Sequence, residues 1–143
     1  MRISGYASRF GERDSSGDRV KRGAFAASLL TRSKSLPMLS DHQRQIGIWT
    51  RAYEDETGLR VEGDVIDPAL QRLIRKGSVT GLSIGFRTRR ARDGPRPGTR
   101  DLLDLDLKEV SVVAFPMLSS ARIDASAIQL SQTHLHANHR RFA

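Results

Sequence analysis

The stretch Leu59-Arg-Val-Glu-Gly-Asp-Val65 alternates apolar and polar residues over seven positions. Because successive side chains of a strand point to opposite faces, this pattern predicts a strand that is buried on one face only. The preceding residues, Asp55-Glu-Thr-Gly58, have the composition of a hairpin turn. The pattern therefore predicts that this part of the chain forms an antiparallel sheet.

The residues before this strand have turn and strand signals with little helix. Residues 2–10 are β-prone, and residues 12–18 have the composition of an exposed loop. Residues 23–30 contain Phe25, Leu29 and Leu30 among good helix formers, which predicts a short helix. Pro37 and Gly47 favour extended segments over residues 36–49, with a loop at residues 41–43. This region is therefore predicted as strands that flank one short helix.

The residues after this strand begin with a helix that has clear end signals. Asp67 suits the N-cap, Pro68 the first helical position and Gly77 the stop, and Leu70, Leu73 and Ile74 form an apolar stripe. Residues 79–86 and 102–115 are predicted strands, and the turn-rich residues 92–100 connect them.

About six strands with only short helices between them predict a mainly β (α+β) fold. The expected architecture is an antiparallel barrel or sandwich with helices at its rim, and a doubly wound parallel sheet is disfavoured. A length of 143 residues suits one core. We expect one domain over residues 1–123 and a tail over residues 124–143 that is partly helical or disordered.

Composition limits the classes of function. The chain has no cysteine, which excludes disulfides, thiolate zinc sites and cysteine nucleophiles. It shows neither a secretory signal nor an apolar run long enough to span a bilayer, so we expect synthesis in the cytoplasm and no membrane partner. The formal net charge is +8, which favours an acidic partner, either nucleic acid or an acidic protein surface.

Ser83 lies in the predicted strand Thr80-Gly-Leu-Ser-Ile-Gly-Phe86. Alternation places it on one face with Gly81 and Gly85, so it lies between two residues that lack side chains. Such a bare face would let an extended peptide backbone approach a serine nucleophile. The alternative is a stripe of small residues that packs closely against another strand or helix.

Glu109 lies in the last predicted strand. If that strand is unbroken, Glu109 and Ser111 share the face of its leucines, and a carboxylate there needs a partner such as histidine. The alternative is a bulge at Lys108 that turns Glu109 to solvent and buries Val110 and Val112. His42 is the only histidine outside the tail, so any serine and histidine pair in the domain must use it.

Several motifs together resemble the tailed-bacteriophage prohead protease family. They occur in the family's order over roughly residues 3–123, and the combination of LSIGF with a downstream EVSxV is specific. They are Gly5-Tyr-Ala-Ser8, Gly23-Ala-Phe25, Leu36-Pro-Met-Leu39 with His42, Ile46-Gly-Ile-Trp49, Gly58-Leu-Arg-Val-Glu-Gly63, Gly81-Leu-Ser-Ile-Gly-Phe86, and Glu109-Val-Ser-Val-Val113 with Pro116.

That family is similar to the herpesvirus assemblins, and the resemblance carries expectations for fold and site. It implies an orthogonal β-barrel ringed by helices. It also implies that Ser83 is the nucleophile, that His42 is the general base, and that Glu109 is the third member that orients His42. Assemblins have a second histidine where this chain has Glu109. An oxyanion donor is expected among the backbone N–H groups after Phe115.

The resemblance also implies an activity. The chain would be a serine endopeptidase without a cofactor that cleaves scaffold segments and the major capsid protein, with cleavage of the chain itself as a further reaction. It would act inside the assembling prohead of a phage or gene-transfer particle in the host cytoplasm, and the similarity to assemblins is compatible with a homodimer. The alternatives are a non-catalytic, basic capsid-assembly or scaffold-binding protein and a nucleic-acid-binding domain.

Three other groups of residues have the composition of binding sites. His134, His136 and His139 could bind a metal, but they lack an acidic second shell, so no metal site is predicted. Asp104 and Asp106 would face away from Glu109 in a regular strand. Six arginines crowd the last hairpin without a docking helix or stacking aromatics, so an acidic scaffold or capsid surface is a better partner for them than nucleic acid. They are Arg87, Arg89, Arg90, Arg92, Arg96 and Arg100.

Overall fold

The structure is a computed structural model that describes residues 1–125. Within these residues it contains seven strands and two helices. The strands are β1 (Arg2–Arg9), β2 (Asp18–Val20), β3 (Leu36–Ser40), β4 (Arg44–Glu54), β5 (Gly58–Val65), β6 (Gly81–Asp93) and β7 (Arg100–Val113). The helices are α1 (Ala26–Arg32) and α2 (Pro68–Arg75). No helix in this range is long and apolar enough to cross a bilayer.

All seven strands form one curled sheet of mixed direction. β1, β5, β4 and β3 are neighbours in that order, each pair antiparallel, and β6 pairs antiparallel with β7. β3 and β2 instead pair with β7 in the parallel direction. The prediction of a mainly β fold is confirmed. The predicted antiparallel orthogonal barrel is wrong in detail, because the alternation of side chains carries no information on the direction of a neighbouring strand.

The sheet is also open where a barrel would close. The segment after β7 lies between β1 and β6. Its residue Ile123 forms a single bridge to Gly5 of β1, and its residue Arg122 forms one to Gly81 of β6. Two isolated bridges replace a continuous ladder at this place. The division into residues 1–123 and 124–143 stays a prediction.

The apolar face of the sheet and the two helices enclose the core. Leu59, Val61 and Val65 are buried while the residues between them are half-buried, apart from Gly63, so the alternation in β5 is confirmed. α2 begins as predicted, because the Asp67 carboxylate accepts a hydrogen bond from the backbone N–H of Leu70 at 2.9 Å.

The short helix predicted from Phe25, Leu29 and Leu30 is present as α1, but these apolar residues are not all buried. Phe25 is buried, but Leu30 is 86% exposed, and Ser28 is buried instead. β2 and β3 take the two ends of one edge of β7 and leave a gap between them. The Ser28 hydroxyl fills that gap, since it donates to the oxygen of Leu105 at 3.0 Å and accepts from the N–H of Leu107 at 2.9 Å. The satisfied backbone groups explain why a serine faces the core.

Asp101 joins β2 to the start of the β6–β7 hairpin. It is buried, and its two oxygens accept hydrogen bonds from Arg19 at 3.0 and 2.9 Å. Arg92 donates to it at 3.3 Å, and Arg13 lies 3.7 Å away. The hydrogen bonds from Arg19, followed by the one from Arg92, lower the pKa of Asp101 to about 2.

This ion-pair cluster predicts a pH-dependent effect on stability. A carboxyl group whose pKa is lower in the folded state stabilises the fold above its unfolded pKa, near 3.8, and this contribution is lost as pH falls through about 2. Asp101→Asn should therefore lower the free energy of unfolding most above pH 4, and the difference from wild type should shrink towards pH 2. Urea unfolding at several pH values measures it, with the exposed Asp93→Asn as control. A difference that is independent of pH would contradict the assignment.

Candidate active site

His42 lies in the tight turn between β3 and β4, inside the loop predicted at residues 41–43. The backbone N–H of Gln43 donates to the oxygen of Ser40 at 3.0 Å, and the central residues Asp41 and His42 have φ values of 49° and 61°. Positive φ at both central positions is what a type I′ turn requires, and it costs a residue other than glycine roughly 1–2 kcal/mol. The imidazole is therefore presented from a strained backbone, as is common at functional sites.

Ser83 lies on β6, next to that imidazole. Its side chain is on the face opposite the core, and the residue is 8% exposed. The distance from Ser83 Oγ to His42 Nε2 is 3.2 Å, within hydrogen-bonding range. The hydroxyl proton of Ser83 thus has a base within reach.

Glu109 lies behind the imidazole, on β7. One carboxylate oxygen, Oε1, is bonded to His42 Nδ1, and the residue is 8% exposed. The other oxygen, Oε2, accepts a hydrogen bond from the hydroxyl of Ser111 at 2.8 Å. A carboxylate at Nδ1 favours the tautomer with its proton there, which leaves Nε2 free to accept one. The structure thus brings together all three predicted site residues in one hydrogen-bonded series.

A bulge in β7 allows this arrangement. Gly85 pairs with Glu109 while Phe86 pairs with Leu107, so Lys108 is an extra residue in the strand. The bulge alternative was correct in this respect, and Val110 and Val112 are buried as it required. Its other part was wrong, because Glu109 is not in solvent: the turn that carries His42 covers it. The other alternative, an unbroken strand with Glu109 on the face of its leucines, is also wrong, because the bulge puts Glu109 on the face opposite Leu105 and Leu107.

The same bulge corrects the position of two aspartates. Leu105 and Leu107 face the core before Lys108, and Val110 and Val112 face it afterwards. Asp104 and Asp106 therefore share the outer side with Glu109, contrary to the expectation for a regular strand. Asp106 is paired with Lys108 and Arg89, and the hydrogen bond from Lys108 is the main cause of its lowered pKa. Within residues 1–125 no cluster of histidine and acidic side chains could hold a metal ion.

The glycines on either side of Ser83 have a different role from the predicted one. A Cβ atom at Gly85 would overlap Oε1 of Glu109 and lie 2.7 Å from its Cδ. A Cβ atom at Gly81 would lie 2.7 Å from Cδ of Pro116. The side chains of Glu109 and Pro116 thus occupy the space above the glycines, so the two glycines make room for these side chains and not for a substrate backbone. The alternative of closely packed small residues is correct in part: the packing is close, but it is against side chains of β7 and of the turn that follows it and not against a further strand or helix.

A cleft of about 280 Å³ opens beside Ser83 and His42. Residues 12–18, which were predicted only as an exposed loop, form part of its wall, and the pattern gave no signal of this. The turn after Phe115 also contributes, through Met117 and Leu118. The other lining residues are Ala7, Ser8, Glu12, Asp14, Ser16, Asp18, Val20, Leu82, Ile84 and Phe86.

The arginine-rich hairpin is less basic than its sequence indicates. Residues 87–93 belong to β6, so the connecting loop is shorter than predicted. Arg89 pairs with Asp106, Arg92 with Asp101 and Arg100 with Asp18. Half of the six positive charges are therefore matched by neighbouring carboxylates, which weakens the case for a nucleic-acid surface. The histidines at 134, 136 and 139 lie outside the described residues.

Comparisons of the sequence with known proteins agree with one another. Residues 1–136 match the family described as caudovirus prohead serine protease. The prohead protease of Enterobacteria phage HK97 is 32% identical over 132 residues, which are 86% of this chain and 59% of that protein. The prohead protease of Escherichia phage T5 is 33% identical over 123 residues, which are 81% and 58% of the two lengths. The chain thus spans less than two thirds of either relative.

Solved structures show the same fold at low sequence identity. The KSHV protease, in complex with a hexapeptide phosphonate inhibitor, aligns with a TM-score of 0.61 at 12% identity, over 95% of this chain and 76% of that one. The bacteriophage T4 capsid assembly protease aligns with a TM-score of 0.60 at 14% identity, over 78% and 80%. The assemblin-like character expected of the fold is thereby confirmed.

The packing of Glu109 over Gly85 predicts a coupling between the two positions. Gly85→Ala should lower the free energy of unfolding by roughly 1–3 kcal/mol because the added methyl group displaces the carboxylate. In a Glu109→Ala background the same change should cost less than about 0.5 kcal/mol, because nothing is left to displace. Chemical denaturation of the four proteins of this cycle measures both values.

Gly81→Ala is the matched control for this cycle. Its methyl group would meet Pro116, so its cost should be the same with and without Glu109. An undiminished cost of Gly85→Ala in the Glu109→Ala background would contradict the assigned contact.

Proposed function

The chain belongs to the caudovirus prohead serine protease family, and we propose that it hydrolyses peptide bonds with Ser83 as the nucleophile, His42 as the general base and Glu109 as the group that orients His42. The observation that carries the proposal is the hydrogen-bonded series itself. Ser83 Oγ lies 3.2 Å from His42 Nε2, and the other ring nitrogen is bonded to a buried carboxylate. A surface histidine needs no such partner.

The first half of the reaction forms an acyl-enzyme. Ser83 Oγ attacks the carbonyl carbon of the scissile bond, and its proton moves to Nε2 of His42. The tetrahedral intermediate then breaks its C–N bond, and the same proton passes from Nε2 to the leaving nitrogen. Throughout, the carboxylate of Glu109 accepts a hydrogen bond from Nδ1–H of His42. It thereby stabilises the imidazolium that forms transiently. The products are an ester at Ser83 and a free amine.

The second half repeats these steps with water as the nucleophile. Water attacks the ester carbon while His42 Nε2 takes its proton, and the carbon to Ser83 Oγ bond breaks. The proton returns to Oγ, and the acid product leaves. The negative oxygen of both intermediates needs donors, and we assign these to backbone N–H groups of the turn after Phe115, whose residues Met117 and Leu118 line the cleft beside Ser83.

The substrates proposed are scaffold segments and the major capsid protein, with cleavage of the chain itself as a further reaction. The family match and the phage relatives support this choice. The cleft beside Ser83 offers room for residues next to the scissile bond. We place the activity inside the assembling prohead in the host cytoplasm. A homodimer stays a prediction from the resemblance to assemblins.

Ser83→Ala should abolish processing. Without Oγ no acyl-enzyme forms, and we expect the cleavage rate to fall by about 10³-fold or more. Co-expression with the cognate capsid and scaffold proteins, followed by mass spectrometry of the particle proteins, measures the loss. The exposed Ser78→Ala is the matched control and should process at the wild-type rate.

Two outcomes would contradict the proposal in different ways. Processing that survives Ser83→Ala would exclude Ser83 as the nucleophile. Particles that assemble with the wild-type chain but show no cleavage would instead favour a non-catalytic assembly protein.

A further inference from the structure

Ser111 connects two members of the proposed site through one hydroxyl group. It lies on β7 two residues after Glu109, is fully buried and pairs across the sheet with Ser83. Its Oγ accepts a hydrogen bond from the backbone N–H of His42 at 2.8 Å. It also donates to Oε2 of Glu109 at 2.8 Å. Alternation along the strand places Ser111 on the face of Glu109 but indicates no role for it.

The direction of both hydrogen bonds is fixed by chemistry. A backbone N–H can only donate, so Ser111 Oγ is the acceptor from His42. The hydroxyl proton is then free for Glu109, whose ionised carboxylate can only accept. A single hydroxyl thus makes one bond of each kind, and each bond goes to a different residue of the site.

Each of these hydrogen bonds fixes one part of the geometry of the site: the backbone of His42 or the rotation of the Glu109 carboxylate. The bond to His42 holds the backbone of a residue with φ of 61°, a conformation that needs support from its surroundings. The bond to Oε2 of Glu109 fixes the rotation of the carboxylate, so that Oε1 faces Nδ1 of His42. Gly85 leaves the space in which that carboxylate lies.

We propose that Ser111 is a positioning residue that holds the imidazole of His42 and the carboxylate of Glu109 at hydrogen-bonding distance from each other and in the correct orientation. The inference rests on the proposed function of Ser83, His42 and Glu109. Because Ser111 is fully buried, it acts through these two residues and not on the substrate.

The inference is tested by measuring kcat and KM of the Ser111→Ala enzyme. The substrate is a fluorogenic peptide that spans the capsid cleavage site, which is first mapped with the wild-type enzyme. We expect kcat to fall by about 10- to 100-fold, because small misplacements of catalytic groups have effects of this size. KM should stay within about twofold, because the cleft is untouched. Ser111→Thr keeps the hydroxyl group and should recover most of the lost kcat.

Ser28→Ala is the matched control. Ser28 is another buried serine whose hydroxyl accepts one backbone N–H and donates to one oxygen, but its partners are Leu107 and Leu105. Its replacement should lower thermal stability while kcat stays at the wild-type value. A general effect of losing a buried hydroxyl is thereby separated from an effect on the site.

The hydrogen bond of His42 Nδ1–H can also be followed without turnover. We would record the proton NMR resonance of Nδ1–H in a Ser83→Ala background. A proton held by a carboxylate resonates at low field and exchanges slowly with water. Ser111→Ala should shift this resonance upfield and broaden it, whereas Ser28→Ala should leave it in place.

The outcomes separate this inference from the proposed function. If Ser83→Ala abolishes cleavage while Ser111→Ala keeps kcat within about twofold and leaves the Nδ1–H resonance unmoved, Ser111 is not a positioning residue and the proposed function stands. If cleavage survives Ser83→Ala, the proposed function fails, and the positioning role fails with it.

Discussion

The pairing of His42 with the buried carboxylate of Glu109 is the interaction on which the rest of the site depends. A carboxylate that is removed from water is costly unless hydrogen bonds replace its hydration, and here the imidazole and the hydroxyl of Ser111 do so. The same pairing directs the second ring nitrogen of His42 towards Ser83. A group that would destabilise the fold if left alone thereby becomes the group that orients the proposed base.

Several local departures from regular structure support this pairing. The extra residue Lys108 lets β7 keep its apolar residues in the core on both sides of the bulge while Glu109 points outward. Gly85 leaves room for the glutamate side chain, and the strained turn at Asp41 and His42 brings the imidazole over it. Strain, a bulge and a required glycine meet at one place in the sheet. Such clustering is common where a fold holds reactive groups in fixed positions.

Much of this architecture was predictable from the sequence, because it depends on local patterns. The alternation in β5 predicts a half-buried strand, Asp67 and Pro68 predict the start of α2, and the loop that carries His42 follows from Pro37 and Gly47.

What was missed depends on contacts between distant segments. The parallel pairing of β3 with β7 leaves no periodic signal, and the purpose of Gly85 is visible only once Glu109 lies above it. The bulge at Lys108 remained one of two alternatives, because alternation alone does not reveal how a partner strand fits. The membership of Ser83, His42 and Glu109 in one site came from the resemblance to a family, since their separations along the chain give no such information.

We propose that His42 and Glu109 together activate Ser83 Oγ for attack on an electrophile. Reaction of the purified chain with a fluorophosphonate tests it without knowledge of the substrate, because an activated serine displaces fluoride and forms a bond from Oγ to phosphorus. We expect a single adduct, located at Ser83 by mass spectrometry of peptides, and a labelling rate that falls by about 10²-fold or more in His42→Ala. Adduct formation at another residue, or labelling of Ser83 at the same rate without the imidazole, would contradict it.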